Sequence, residues 1–320
     1  MITQYKSLAG INLKKFPCTQ KIAECQIDLW PGHEKTIATS LGNRDEKILF
    51  DTEITANLIK KLTDNFKSLK KICKSYQYLC EELVLQSEIY FRRYGKYERS
   101  KFRDAYRDIY SNKNLMKKYM NGLLLTGVFW NNHASAISYY KRKYLNDLAL
   151  KCTDHLEIGP GHGNLLYLAS KFGTFNNISA WDISKSSISL TKKALKFSGI
   201  KYDKIKISIQ DIMKVNNNEK KFDSIVISEI LEHLEDPLEA LKSLYKITKL
   251  NGLVFINVPS NSPAPDHLFL IDHPSELNNL VKKSGYNIKE TIHFPMTGYT
   301  LDQCLKDKLT ITCVIIAVKN

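Results

Sequence analysis

The stretch His155-Leu-Glu-Ile-Gly-Pro-Gly-His-Gly163 decides the fold of this 320-residue chain. A short apolar segment runs into three glycines spaced two apart, and residues 164–171 then have helical spacing. Glycine permits positive φ and lets a ligand approach the backbone closely, and a helix N-terminus attracts anionic groups. The stretch therefore predicts a strand, a nucleotide-binding loop and a helix. Taken alone, the glycine spacing also suits an ordinary tight turn.

Three further predicted strands also end in polar residues. Residues 177–182 end in Asp182, about twenty residues beyond the glycines, where a nucleotide ribose would lie. Residues 205–211 end in Asp211, and residues 222–228 end in Ser228. Parallel strands place their carboxyl ends at one edge of the sheet, so these residues predict a site there. Each acid by itself would equally suit a helix N-cap or a solvated turn.

Together, these ordered motifs resemble those of the class I S-adenosylmethionine (AdoMet)-dependent methyltransferases. The resemblance spans about residues 150–320, and it implies an α/β, Rossmann-like sheet of seven strands with the final strand reversed. It also implies that AdoMet lies across the glycine loop with its ribose on Asp182. Dehydrogenases fit less well, because the loop reads G-x-G-x-G and an acid precedes the first glycine. The cofactor-binding residues expected from the resemblance are Glu157, Gly159, Gly161, Gly163, Asp182, Ile183, Asp211, Ile212 and Ser228.

A second set of polar residues follows the fourth predicted strand. Glu229, Glu232 and His233 stand at spacing i, i+3 and i+4, which one helical turn would present on one face. Carboxylates combined with imidazoles suit Mg²⁺, Mn²⁺ or Zn²⁺, and His267, in a loop expected at the same edge, is the predicted fourth ligand. This pairing of E-x-x-E-H with a later D-H resembles metal-dependent small-RNA 2′-O-methyltransferases and the O-methyltransferases of ubiquinone biosynthesis. The alternative is that Glu229 touches cofactor and the rest simply starts a helix.

The same cluster carries the predicted catalytic residues. Methyl transfer from a sulfonium needs an in-line nucleophile, so positioning and activation are the contributions of the protein. A bound cation would lower the pKa of a coordinated hydroxyl. Without a cation, His233 or His267 would act as the general base. Glu232, His233 and His267 are the predicted catalytic residues in either case.

The first half of the chain carries no nucleotide motif. Residues 1–148 are predicted to form a helical lid or substrate domain, and residues 149–320 the AdoMet-binding domain. The opening to about residue 45 is predicted to be irregular. The predicted helices cover residues 52–69, 71–91, 101–110, 114–125 and 133–148.

Four residues are candidates for lining a substrate pocket. Trp130, His133 and Tyr139 stand just before the glycine-loop strand, and Tyr299 lies in the connection between the last two strands. Core packing of Trp130 and Tyr139 is the competing interpretation. Asn132 is the predicted N-cap of the helix in this segment.

The charge of the chain is uneven. The net charge is +14, and residues 1–150 hold 26 basic against 15 acidic residues. Six of the seven arginines fall between residues 92 and 142 among tyrosines, and Arg92, Arg99 and Arg103 would share a face if one helix ran through Gly95. This pattern suits RNA binding or an anionic substrate. It equally suits an ordinary helix whose arginines pair with neighbouring acids.

The remaining features concern compartment and activity. The seven cysteines lack C-x-x-C spacing, and neither a signal peptide nor an apolar run of eighteen residues is present, which predicts a cytoplasmic enzyme without a membrane segment. The expected function is O-methylation of a small hydroxylated or acidic metabolite, with or without a metal. RNA 2′-O-methylation, N- or C-methylation of a natural-product intermediate, and non-catalytic AdoMet binding are the alternatives. The sequence leaves the oligomeric state open.

Overall fold

The computed structural model describes residues 8–63, 66–200, 205–215 and 218–320. Its first half is helical, as predicted. The helices before the glycine loop are α1 (Pro17–Leu29), α2 (Glu34–Gly42), α3 (Glu46–Leu62), α4 (Phe66–Tyr78), α5 (Leu85–Tyr94), α6 (Phe102–Ala105), α7 (Lys113–Phe129) and α8 (Asn131–Tyr139). Wider π-type turns cover Leu79–Val84, Tyr106–Tyr110 and Tyr140–Leu148.

One prediction about this half is wrong. The opening before residue 45 is not irregular, because it contains α1 and α2. The buried side of α1 includes Cys18, Thr19 and Gln26, so small and polar residues hide its helical periodicity. The condition for Arg92, Arg99 and Arg103 to share a face is not met, since Gly95 has a φ of 66° and ends α5.

The second half contains a mixed sheet that confirms the predicted fold class. Among the described residues the sheet has seven strands in the order β3-β2-β1-β4-β5-β7-β6. Neighbouring strands from β1 to β5 are parallel, and β7 runs antiparallel to β5 and β6. The strands are β1 (Asp154–Ile158), β2 (Asn177–Asp182), β3 (Ile205–Ile209), β4 (Phe222–Ser228), β5 (Thr248–Ser260), β6 (Asn287–Pro295) and β7 (Ile311–Val318). The helices among them are α9 (Asn164–Phe172), α10 (Lys185–Ser198), α11 (Pro237–Ile247), α12 (Pro274–Lys283) and α13 (Leu301–Asp307).

Alternation along β1 and β4 divides the core between the two faces of the sheet. Leu156 on β1 packs with the cluster that contains residues of α11 and α12. Val226 on β4 faces the other way, where Tyr140 and Tyr144 of the last helical turns join the core. The Tyr144 hydroxyl also contacts the Ser224 Oγ at 2.8 Å. The segment before β1 therefore packs directly on the sheet, while the domain division at residues 148 and 149 stays a prediction.

Strand order places the glycine loop at a topological switch point. β1 pairs with β2 on one side and with β4 on the other, so the chain leaves the centre of the sheet in opposite directions. Ligands of open α/β sheets bind in the crevice that such a reversal creates at the carboxyl ends of the strands. The loops after β1, β2, β4 and β5 meet at this edge, which is where the sequence predicts a site.

Candidate functional site

The glycine loop has the backbone conformation that its sequence predicts. Gly159, Gly161 and Gly163 have φ values of 64°, 52° and 81°, a region that side chains with a Cβ rarely adopt. A Cβ on Gly159 would come within 2.2 Å of the Ile230 Cδ1 atom. Gly163 ends the loop and directly precedes α9. The loop thus lines the crevice with backbone atoms that no side chain covers, and a ligand can lie directly against that backbone.

Two acids lie beside this loop. The Asp182 carboxylate, at the end of β2, accepts hydrogen bonds from the backbone N–H of Ser184 at 2.8 Å and from that of Gly161. Burial nevertheless raises the pKa of Asp182. Burial, and then the charge of Asp182, raises the pKa of Glu157 to about 8. The Glu157 Oε2 atom has no hydrogen-bond partner among the described residues, so this corner fits a ligand that carries hydroxyl or ammonium donors.

The other predicted cofactor residues lie around the same edge in different surroundings. Asp211 accepts from the Met213 backbone N–H at 2.9 Å and caps a short three-ten turn, as the competing interpretation of these acids expects. Ile212 is buried in the core, and Ile183 is largely exposed. The Ser228 Oγ accepts from the Asn257 Nδ2 at 2.9 Å. The roles of these residues in cofactor binding stay predictions.

An acid–imidazole cluster, made of Glu232, His233 and His267, lies at the ends of β4 and β5. One ligand atom from each residue lies within 4.8 Å of the others. Glu229, the other predicted ligand, stands outside this set of three, with its Oε1 accepting from the Asn257 Nδ2 at 3.1 Å.

The predicted α-helical turn through this sequence is wrong. Leu231–His233 forms a three-ten turn, and α11 begins only at Pro237. Glu229 has a φ of 54°, which is outside the right-handed helical region. The spacing i, i+3 and i+4 therefore does not place Glu229 on a common helical face, although Glu232, His233 and His267 do converge.

Hydrogen bonding fixes which nitrogen of each imidazole carries the proton. The His267 Nδ1 lies 2.6 Å from the Ser262 carbonyl oxygen, and the His233 Nδ1 lies 3.1 Å from the Asp266 carbonyl oxygen. A carbonyl oxygen only accepts, so each neutral ring donates from Nδ1 and keeps a lone pair on Nε2. Glu232 is fully buried, and neither of its carboxylate oxygens has a partner among the described residues. The centre of the cluster is thus lined by three acceptors.

The electrostatics follow from that arrangement. Burial, and then the nearby charge of Glu229, raises the pKa of Glu232 well above its ordinary value. Burial raises the pKa of Glu229 to about 8. Burial, and then the neighbouring His233, lowers the pKa of His267 to about 3, which keeps its ring neutral. A buried carboxylate beside two imidazole lone pairs is stabilised by a cation, either a proton or a metal ion.

Asp266 connects this cluster to the helical half. Its Oδ1 accepts from the Tyr119 hydroxyl at 2.7 Å, and its Oδ2 accepts from the Tyr110 hydroxyl at 2.9 Å. Burial alone would raise the pKa of Asp266, but His233, His267 and the two tyrosine hydroxyls hold it below the ordinary value. The D-H motif predicts a role for His267 and none for Asp266. No spacing in the sequence relates Tyr110 or Tyr119 to residue 266, so these partners were missed.

Of the four predicted substrate residues, His133 has an electrostatic interaction with a member of the cluster, His267. It is partly buried, its Nδ1 lies 3.0 Å from the Thr126 Oγ1, and its electrostatic neighbours include His162 and His267. The Trp130 indole instead donates to the Tyr76 hydroxyl at 3.0 Å within the helical core. A role for His133 in holding substrate stays a prediction.

The structure does not bring the remaining two substrate candidates to the cluster. The Tyr139 hydroxyl donates to the Glu290 Oε2 at 2.6 Å on β6, an edge strand, and Tyr299 is 46% exposed in the β6–α13 connection. The predicted N-cap at Asn132 is wrong, because Trp130 precedes the helix and the Asn132 amide donates to the Thr312 Oγ1 at 2.9 Å. A buried acceptor on β7 therefore decides the place of Asn132.

Four of the five arginines between residues 92 and 107 have an acidic partner within nine residues along the chain. Arg92 pairs with Glu88, and both Arg99 and Arg107 pair with Asp108. These pairs support the interpretation as a solvated surface whose charges are locally balanced. Over the part of the chain that the structure describes, no helix has the length and apolar content to cross a membrane.

Comparison with known proteins identifies the class. A family model described as a methyltransferase domain matches residues 133–307, which is more than half of the chain. The chain therefore belongs to this family, and it is a class I AdoMet-dependent methyltransferase, as the motifs and the strand order predict.

Relatives and solved structures add detail. The chain is 28% identical over 181 residues to a ubiquinone biosynthesis O-methyltransferase of Pelagibacter ubique (strain HTCC1062), covering 48% of this chain and 72% of the relative. It is 27% identical over 158 residues to the protein of that name from Coxiella burnetii (strain Dugway 5J108-111), covering 49% and 65%. The N-methyltransferase NodS from Bradyrhizobium japonicum WM9, in complex with S-adenosyl-L-homocysteine, is similar with a TM-score of 0.42 and 15% identity, over 57% of this chain and 87% of that one.

Proposed function

We propose that this methyltransferase methylates a hydroxyl group of a small hydroxylated or acidic metabolite, with the help of a divalent metal ion. The observation that carries the proposal is the convergence of two imidazole lone pairs and a buried carboxylate that accepts no hydrogen bond from the described residues, at the sheet edge that bears the glycine loop. The named activity of the curated relatives, O-methylation in ubiquinone biosynthesis, supports a small acceptor with a hydroxyl group.

The glycine-loop side of the crevice would hold AdoMet. Gly159, Gly161 and Gly163 would let it lie against the backbone, and Asp182 and Glu157 would accept from its hydroxyl and ammonium groups. When bound, AdoMet supplies an electrophilic methyl group on a sulfonium. The protein contributes by fixing the acceptor oxygen in line with that methyl group and by excluding water.

The acid–imidazole cluster would hold the metal. Two neutral Nε2 atoms and one carboxylate form a set that suits Zn²⁺ or Mn²⁺ and leaves positions open for an acceptor. When bound, the ion lowers the pKa of a coordinated hydroxyl. His233 and His267 would each present Nε2 because their Nδ1 atoms donate to backbone carbonyls. Glu232 would supply the negative charge that the ion requires.

Transfer of a labelled methyl group tests this function. AdoMet labelled in its methyl group is incubated with the protein and a panel of phenols, catechols, hydroxy acids, amines and RNA. We expect label in hydroxylated small molecules, loss of transfer after chelation with EDTA, and recovery on adding Mg²⁺, Mn²⁺ or Zn²⁺. Transfer only to amines or RNA would overturn the acceptor class, and activity unaffected by EDTA would overturn the metal.

A further inference from the structure

We propose that Asp266, held by the hydroxyls of Tyr110 and Tyr119, is a positioning residue that orients the acid–imidazole cluster from the helical half of the chain. The inference rests on the proposed function, because it takes that cluster as the reaction centre. Asp266 itself stands outside the set of three converging ligand atoms. The proposal assigns it, and the two tyrosines, to the orientation of His233.

Two tyrosine hydroxyls of the helical half hold the carboxylate of Asp266. Asp266 is 2% exposed, and each of its carboxylate oxygens accepts from one tyrosine hydroxyl, Tyr119 on Oδ1 and Tyr110 on Oδ2. A buried carboxylate is costly unless donors satisfy it, so these two hydroxyls determine where residue 266 can lie. Tyr119 is buried as well, and Tyr110 is partly buried. Residue 266 is therefore fixed by two separate turns of the helical half.

Asp266 contacts the imidazole of His233 through two of its oxygen atoms. The His233 Nδ1 lies 3.1 Å from the Asp266 carbonyl oxygen and 3.4 Å from its Oδ2. Both atoms only accept from a neutral ring, and the Tyr110 hydroxyl, 3.4 Å from the same Nδ1, donates to the Asp266 Oδ2 at 2.9 Å. The proton therefore stays on Nδ1, and the lone pair of Nε2 faces Glu232, 3.8 Å away. Partners of this kind set the tautomer and direction of a histidine that binds a metal or takes up a proton.

The loop that contains Asp266 and His267 is hydrogen-bonded to the three-ten turn that contains Glu232 and His233. The Glu232 carbonyl oxygen accepts from the backbone N–H of Leu268 at 2.8 Å and from that of Phe269 at 3.0 Å. His267 immediately follows Asp266, so its ring is attached to the same short segment. A displacement of residue 266 would therefore be transmitted to all three members of the cluster.

Further contacts attach this loop to the helical half. The Ser262 backbone N–H donates to the Tyr97 hydroxyl at 3.1 Å, and the Arg99 Nη1 donates to the Pro265 carbonyl oxygen at 3.0 Å. Ser262 is also the residue whose carbonyl accepts from His267. Residues 97–119, which we call the roof segment, thus hold the loop at both of its histidine-orienting positions.

The test compares the full-length protein with a Tyr110→Phe/Tyr119→Phe double variant and with Tyr286→Phe. Tyr286 is a matched control, because it is also buried and its hydroxyl contacts the Thr248 Oγ1 at 2.6 Å, at the start of β5. The protein is labelled with ¹⁵N-histidine and freed of metal with EDTA. Two-bond ¹H–¹⁵N correlation spectra then report the tautomer of each ring, with His233→Gln used to assign the signal.

We expect wild type and Tyr286→Phe to show His233 protonated only on Nδ1, and the double variant to show a mixture of both tautomers. A double variant that keeps the wild-type His233 signal would overturn the proposal and leave the tyrosines with a purely structural role. A wild-type signal protonated on Nε2 would also overturn it.

Titration with Co²⁺ alone provides a second measurement, read from the visible absorption of the ion. We expect the double variant to bind Co²⁺ roughly 10- to 100-fold more weakly than wild type, as for other residues that orient metal ligands. Equal affinity would count against the proposal. If wild type bound no Co²⁺, the metal part of the proposed function would fail, while the tautomer measurement would still decide the role of Asp266.

Discussion

Two buried glutamates, Glu157 and Glu232, lie at the same edge of the sheet but depend on different parts of the chain. Burial raises the pKa of both. The acid beside Glu157 is Asp182, whose donors are backbone N–H groups of nearby loops, one of them only two residues away. The acid beside the acid–imidazole cluster is Asp266. Its carboxylate accepts hydrogen bonds from the hydroxyls of Tyr110 and Tyr119, which lie more than 140 residues earlier in the chain. The proposed cofactor side is built locally, and the proposed acceptor side is completed by the helical half.

This difference separates two tasks. A methyltransferase binds one cofactor whatever its acceptor, and a loop made of glycine backbone and strand-end acids can do that without help from other domains. The acceptor differs between enzymes, and residues supplied by an added helical segment can change without disturbing the loop. We infer that substitutions on the two sides should have separable effects, and the following changes test that inference.

Glu232→Gln should have the largest effect. It removes the charge of the acid–imidazole cluster, so we expect methyl transfer to fall by roughly 10² to 10⁴-fold while the dissociation constant of AdoMet stays within about twofold. Stability should stay equal or rise, because the buried carboxylate has no hydrogen-bond partner among the described residues. Labelled-methyl transfer, calorimetry and thermal unfolding measure the three quantities.

The matched control for that substitution is Glu239→Gln. Glu239 is an exposed residue on α11 that pairs with Lys242, outside the crevice. It should leave both activity and AdoMet affinity unchanged. Wild-type activity in Glu232→Gln would remove the cluster from the proposed mechanism.

Gly159→Ala should affect the cofactor side instead. The φ of 64° would cost an alanine roughly 1–2 kcal/mol, and its Cβ would press on Ile230. We expect AdoMet to bind about tenfold more weakly by calorimetry. Adding Ile230→Ala should recover part of the loss, because it removes the contact but not the backbone strain. Unchanged affinity in the single variant would show that the backbone at Gly159 does not contact the cofactor.

Glu157 should make stability depend on pH. Its pKa rises from 4.5 in the unfolded chain to about 8 in the folded protein, so the folded state binds the proton more tightly. The free energy of unfolding contributed by this group is complete below pH 4.5 and is lost as the pH rises to 8, with a slope of up to about 1.4 kcal/mol per pH unit. Glu157→Gln should flatten that decline.

Urea unfolding at pH 5 and pH 7.5 measures this effect. The difference in unfolding free energy between the two pH values should be smaller in Glu157→Gln than in wild type, and unchanged in Glu239→Gln. Equal pH dependence in wild type and Glu157→Gln would show that Glu157 has an ordinary pKa.

Lys101→Ala should have the smallest effect. The Nζ atom of Lys101, in the roof segment, lies 2.9 Å from the Glu235 Oε2. The Lys101 side chain is 65% exposed, and exposed ion pairs contribute about 0–1 kcal/mol to stability. We expect the melting temperature to move by a few degrees at most and the His233 tautomer to stay as in wild type. A change of tautomer here would extend the positioning role beyond Tyr110 and Tyr119.

Sequence reasoning worked best where structure is local. The strands β1, β2 and β4 and the positive φ values of the glycine loop follow from residues that are adjacent in sequence. It failed where a contact with a residue far away in the sequence determines the position of a side chain. Asn132 is an example, because its amide donates to the Thr312 Oγ1. The sequence also does not predict the three-ten turn before α11, because Glu229 adopts a left-handed backbone conformation that is uncommon for residues other than glycine. The convergence of Glu232 with His267 is predictable only because the loops that follow parallel strands lie at the same edge of the sheet.

Calorimetric titration of S-adenosylhomocysteine into wild type, Asp182→Asn and Glu232→Gln tests the central claim most directly. The claim is that the glycine loop and Asp182 form the cofactor side independently of the acid–imidazole cluster. We expect one molecule bound per chain in wild type, similar affinity in Glu232→Gln, and binding at least tenfold weaker in Asp182→Asn. An absence of heat with the wild-type protein would contradict the account.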